Sequence, residues 1–218
     1  MGRWDCFGFS FLRGVHLIGG LHLNWIMELA PNKYYHLYNR SNNQELLIKN
    51  RDNYIYFLSK YRKYLKEFLI TLAYCLMPNH FHFLVQVRSD ADITQLKKNF
   101  GLLLSSYTKA INKANSRVGS LFQQHSKSKE INDDKTLLNV INYIHQNPLR
   151  KSLVKNIEDW EFSSYRDYAD LRSGTLVTKE FVSTFFHSVE EFKFFSLSKA
   201  DKFNFILDLE ATPKVESK

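Results

Sequence analysis

Two short runs rich in branched and aromatic residues, Leu69 to Leu76 and Asn79 to Val87, are split by Met77-Pro78-Asn79. Proline cannot donate to a strand ladder, so the pattern predicts a strand, a break and a second strand. A chain organised around such a pair must build a sheet and cover it. Tyr34 to Arg40 (YYHLYNR) is also β-rich and alternates in polarity, predicting another strand. Helical spacing follows in three places. Tyr54, Ile55, Phe57, Leu58, Tyr61 and Leu65 predict a helix from an Asp52 cap to about Phe68, with Lys60, Arg62, Lys63 and Lys66 on its other side. Between Asp92 and about Asn115, the residues Ile93, Leu96, Phe100, Leu103, Leu104, Tyr107 and Ile111 form one stripe. After a loop and a short strand near Leu121-Phe122, Asp133 or Asp134 caps a helix carrying Leu137, Leu138, Ile141 and Ile144, which Asn147-Pro148 should end.

This order suits an α+β fold: a two-layer, ferredoxin/RRM-like antiparallel sheet with helices on one face. The spacing of Phe181, Phe185, Phe192 and Phe195 adds one or two small helices that pack back on the core. The expected organisation is an upstream extension with no folding role (1–27), a catalytic domain (28–155) and a C-terminal helical extension (156–218). The first segment is apolar but interrupted by Asp5, Arg13, His16, His22 and Asn24, too often for a spanning helix, and it lacks a small-residue cleavage site. Met27 offers an alternative start. Cys6 and Cys75 are too few for a disulfide scaffold, which suggests a reducing, cytoplasmic setting with no membrane partner. A net charge of +8 and a pI near 9.3 favour polyanions, nucleic acid being the commonest.

Within the second run, His80 and His82 sit two residues apart, so a strand presents both imidazoles on one face while Phe81 and Phe83 turn to the other. That geometry suits one metal ion, although a merely polar sheet face would look the same. A histidine triad would need a third His where Leu84 stands, a large metal-hydrolase barrel would need more chain, and a cysteine zinc site is excluded by cysteine count.

The segment Cys75-Leu-Met-Pro-Asn-His80-Phe-His82-Phe-Leu-Val resembles the signature of the single-tyrosine HUH transposases of bacterial insertion sequences. Tyr34 to Arg40 resembles that family's first strand, and Ile141 to Val154 a later block. Trp160-Glu-Phe-Ser-Ser-Tyr165 resembles the REP-associated tyrosine transposase branch. The resemblance spans roughly residues 28 to 190, and several ordered blocks are far more specific than a lone His-x-His. It implies cleavage and rejoining of single-stranded DNA at hairpins or palindromic repeats, through a 5′-phosphotyrosine intermediate and a free 3′-hydroxyl, by a monomer or homodimer. It implies Mg²⁺ or Mn²⁺ on His80 and His82, Mn²⁺ being the better match to imidazole.

Matching the family's aromatic-rich helix ahead of Gly119-Ser-Leu-Phe122-Gln123 puts the nucleophile at Tyr107, a position that its apolar stripe alone would assign to the core. Relatives often add a Gln or Asn ligand one turn beyond the tyrosine; Ile111 stands there, leaving Asn112 as the nearest candidate. Lys97, Lys98, Lys109, Lys113, Arg117, Lys127 and Lys129 surround the Tyr107 segment in sequence, and with Arg40 are the expected DNA contacts, Tyr165 and Arg166 being further candidates. A different class of function, a non-catalytic nucleic-acid binder keeping the fold and basic surface of a decayed transposase, fits the same composition. An RNA-directed sheet-face binder fits less well, because no second aromatic motif occupies the expected strand positions.

Overall fold

The computed structural model describes residues 28–198; the expected upstream extension and the last twenty or so residues lie outside them. Four strands, β1 (Tyr34–Arg40), β2 (Leu69–Leu76), β3 (His80–Val87) and β4 (Lys127–Ile131), form one antiparallel sheet in the order β2-β3-β1-β4. Between them run α1 (Arg51–Leu65) and α2 (Ile93–Ala114), completing the βαββαβ order of a ferredoxin-like unit. Asn50, not Asp52, caps α1 by accepting the Asn53 amide, and Asp92 caps α2 through Gln95.

Both helices lie on one face of the sheet. Tyr54, Phe57, Tyr61 and Leu65 of α1 and Leu96, Phe100, Leu103, Leu104, Tyr107 and Ile111 of α2 are buried. Phe81 and Phe83 meet them from β3: Tyr61 stacks on Phe83 at 4.1 Å, and Phe57 lies 5.3 Å from Phe81.

A third helix, α3 (Asp134–Arg150), departs from the expected layering. It crosses the opposite face of the sheet against β2 and β3, so that part of the molecule has three layers. Residues 141 to 148 of α3 are all buried, because sheet lies beneath them and the C-terminal segment above. The helix also runs through Pro148 instead of stopping at Asn147. Proline there forgoes one intrahelical N–H bond, yet the helix continues and the Lys151 amide closes onto the Asn147 carbonyl.

Beyond α3, among the described residues, come the short helices α4 (Tyr165–Tyr168), α5 (Lys179–Ser183) and α6 (Val189–Leu197). The segments on either side of α4 cover the β2 edge. Leu76 donates to the Phe162 carbonyl, Ser164 to that of Tyr74 and Thr178 to that of Thr71, satisfying groups that an exposed edge would leave open. Buried Asp167 holds Arg172 at 2.6 Å, and Arg172 also donates to the Tyr74 hydroxyl. Gly174 is required there: its N–H bonds Asp167, and an added Cβ would fall 2.0 Å from that carboxylate. No helix among the described residues is long and apolar enough to cross a membrane.

Candidate active site

Strand alternation turns His80 and His82 away from Phe81 and Phe83, onto the face that α3 crosses. Their rings stand edge to face at 5.0 Å. Antiparallel register adds three side chains of β1 to the same face: Arg40 opposite His80, Tyr38 opposite His82, and His36 one step along opposite Leu84. From above, α3 contributes Tyr143, whose ring meets His82 edge-on at 5.5 Å, and Asn147, whose Oδ1 lies 3.4 Å from His80 Nε2. Four residues apart on one helix, Tyr143 and Asn147 share a side and descend on the histidine pair together.

Hydrogen bonding fixes how the two imidazoles face. His80 Nδ1 lies 2.7 Å from Asn79 Oδ1, an atom that can only accept, so Nδ1 carries the proton and Nε2 keeps its lone pair. His80 Nε2 and Asn147 Oδ1 are then two electron-pair donors facing each other with no hydrogen between them. His82 Nδ1 is 3.0 Å from His36 Nε2, while His82 Nε2 is buried without a hydrogen-bond partner, as is Asn147 Nδ2. Buried polar atoms are ordinarily satisfied, so the unpartnered His82 and Asn147 nitrogens beside the His80–Asn147 contact mark this cluster as a candidate cation site.

The electrostatics agree. Burial holds His36 down to about 3, with the Lys129 charge adding to it, and His80 down to about 4, opposed by the Asn147 contact and helped by Arg40 and Lys151. His82 is pushed well below its ordinary value, again first by burial. All three are therefore neutral near pH 7, the protonation state a ligating histidine needs. Among the described residues no three His, Cys, Asp or Glu side chains form a metal-binding group, so a cation would rest on two imidazoles and an amide oxygen.

Around this centre the cations are sorted by strand geometry. Lys127 and Lys129 of β4 pair with Tyr38 and His36 and face the histidines, Lys127 lying 6.0 Å over the Tyr38 ring. The intervening positions turn away; Glu130 meets Lys33 and Tyr35 on the other side. Arg150 stands 5.4 Å over the Tyr143 ring.

Several residues expected here are elsewhere. Tyr107 lies across the sheet, fully buried, with its hydroxyl donating to the Leu47 carbonyl at 3.0 Å and its ring edge-on to Phe57 at 5.0 Å. Burial raises its pKa, and the Phe81–Phe83 layer separates it from the histidines. Asn112 is also on that side. Its amide bonds the Gly119 carbonyl and the Arg117 guanidinium, stapling the loop after α2. Arg117 is engaged with Glu45 at 2.8 Å and with loop carbonyls, and Lys97, Lys98, Lys109 and Lys113 belong to α2, on the far face. Tyr165 is buried under α6, and Arg166 donates to the Glu158 carbonyl. Arg40, Lys127 and Lys129 are thus the expected DNA contacts that the fold gathers around His80 and His82. Sequence reasoning missed Tyr143, Asn147, His36 and Asn79. The signal available for the first two was their i, i+4 spacing, the tyrosine-to-amide spacing that the resemblance implies.

Comparison with known proteins bears on this arrangement. A family model described as "Transposase IS200 like" matches residues 30–147, more than half of the chain and a span that contains every residue of the cluster up to Asn147. A REP-associated tyrosine transposase of Haemophilus influenzae is 32% identical over 102 residues, a stretch covering 44% of this chain and 58% of that relative. The solved structure of a REP-associated tyrosine transposase bound to a REP hairpin shares the fold, with a TM-score of 0.53 at 16% identity, over 72% of this chain and 88% of the other. With the family match spanning sheet, histidine pair and α3 alike, this chain belongs to the IS200-like transposases.

Proposed function

We propose that the protein cleaves and rejoins single-stranded DNA at hairpin or repeat sequences, with Tyr143 as nucleophile. The carrying observation is the descent of Tyr143 and Asn147 together onto His80 and His82, within one chain. His80, His82 and Asn147 would hold Mg²⁺ or Mn²⁺, which when bound supplies Lewis-acid polarisation of the scissile phosphate. Arg40, Lys127 and Lys129 receive the DNA backbone on the histidine face.

The phenol oxygen of Tyr143 forms a bond to phosphorus as the bond from phosphorus to the 3′-oxygen breaks. The phenol loses its proton and the departing oxygen gains one, leaving a 5′-phosphotyrosine and a free 3′-hydroxyl. One phosphoester replaces another, so a second 3′-hydroxyl can reverse the step without ATP. Because nucleophile and histidines belong to the same chain, a monomer suffices for cleavage.

Incubation with a single-stranded hairpin and Mn²⁺ should yield a covalent protein–DNA species that is absent in Tyr143→Phe and reduced in His80→Ala and Asn147→Ala. Binding of the hairpin with no covalent species in the wild type would favour the non-catalytic binder instead.

A further inference from the structure

We infer that His36 is the positioning residue that sets the tautomer of His82, accepting its Nδ1–H so that Nε2 is presented to the cation. The inference rests on the metal reading above and extends it to a side chain that would not itself touch the ion. His36 Nε2 and His82 Nδ1 are 3.0 Å apart, with the rings stacked at 5.1 Å and 28°. Two neutral imidazoles in such contact share a single hydrogen. Either direction leaves one buried N–H without a hydrogen-bond partner, on His82 Nε2 if His36 donates and on His36 Nδ1 if His82 does, so it is the cation that decides between them. If His82 donates, Nε2 is left with a lone pair, on the face where His80 Nε2 and Asn147 Oδ1 also present theirs. The second arrangement repeats what Asn79 does for His80, so each ligand is oriented by an acceptor on its Nδ1 side. His36 is fully buried, wedged among Tyr38, His82 and Tyr143, and so is held in place for this task.

Mn²⁺ binding, read from the electron paramagnetic resonance signal of the free ion, separates the possibilities. His36→Leu should weaken Mn²⁺ binding roughly 10- to 100-fold, the usual cost of losing an outer-shell partner. His36→Gln, which keeps an acceptor near the Nε2 position, should restore most of it. Wild-type affinity in His36→Leu, or equal loss in both variants, would overturn the inference. His82→Ala is the control for the underlying reading: affinity unchanged there, or absent in the wild type, defeats the metal site itself. Loss in His82→Ala without loss in His36→Leu defeats only the role of His36. Should His36→Leu fail to fold, long-range proton–nitrogen NMR of the wild type loaded with diamagnetic Mg²⁺ decides. His82 protonated at Nδ1 is the expected result, and His82 protonated at Nε2 would overturn the inference.

Discussion

The two faces of the sheet are built from the same strands and have opposite chemistry. On the α1/α2 face, Phe81 and Phe83 lock into Phe57, Tyr61 and Phe100, and the polar atom of Tyr107 is bonded to a backbone carbonyl. On the α3 face, one residue along β3, His82 leaves a buried nitrogen unpaired, and His80 faces an amide oxygen with no proton to share. One face is closed on itself and the other leaves polar atoms without partners. A strand period of two is enough to make this division, and it assigns the two tyrosines: Tyr107 belongs to the closed face and Tyr143 to the open one.

Adjacent substitutions on β3 should separate the faces most sharply. Phe83→Ala should cost about 3–5 kcal/mol of stability in chemical denaturation, because it opens a cavity in the aromatic layer. His82→Ala should cost less, on the order of 1–2 kcal/mol, since its Nε2 satisfies nothing in the protein, yet it should lose the cation.

A second contrast lies in the acid response. His145, buried on α3 with its Nε2 2.7 Å from Ser164 Oγ, is held down to about 3 by burial. Its folded pKa is below its unfolded value, so its neutral form costs nothing above about pH 6.5. As pH falls below that, the unfolded chain takes up a proton that the native state refuses. Stability should drop by on the order of 2–3 kcal/mol by pH 4 from this group, and His145→Gln should flatten that limb in urea titrations.

Charge gives the smallest effect. Replacing Lys127 and Lys129 together with alanine should weaken single-stranded DNA binding and reduce the salt slope by about 1.4, at roughly 0.7 per lysine. The same treatment of Lys109 and Lys113, on the far face, should leave the slope unchanged.

Much of this was legible from residues alone. Alternation marked β1, branched and aromatic runs split at Pro78 marked β2 and β3, and the helical stripes marked α1 and α2 with boundaries within a few residues. The histidine pair followed from the same alternation. What periodicity cannot say is which face of a sheet a helix will cover. Tyr107 and Tyr143 both sit on buried helical positions, and only the three-dimensional path of α3 tells them apart. Asn147-Pro148 read as a helix end, which hid the one-turn relation between Tyr143 and Asn147. The lysines of α2 seemed close to the site because they surround Tyr107 in sequence, and they moved away with it. His36 looked like one more polar strand residue, since its partner lies 46 positions away.

Whether the chemistry belongs to the α3 face is tested most directly by the residue that becomes linked to DNA. Wild-type protein should be allowed to react with a hairpin and Mn²⁺, then digested, and the nucleotide-bearing peptide identified by mass spectrometry. The adduct should lie on the α3 peptide at Tyr143, and Tyr107→Phe should retain it while losing about 1 kcal/mol of stability with its hydrogen bond. An adduct at Tyr107, or one that survives Tyr143→Phe, would contradict the account.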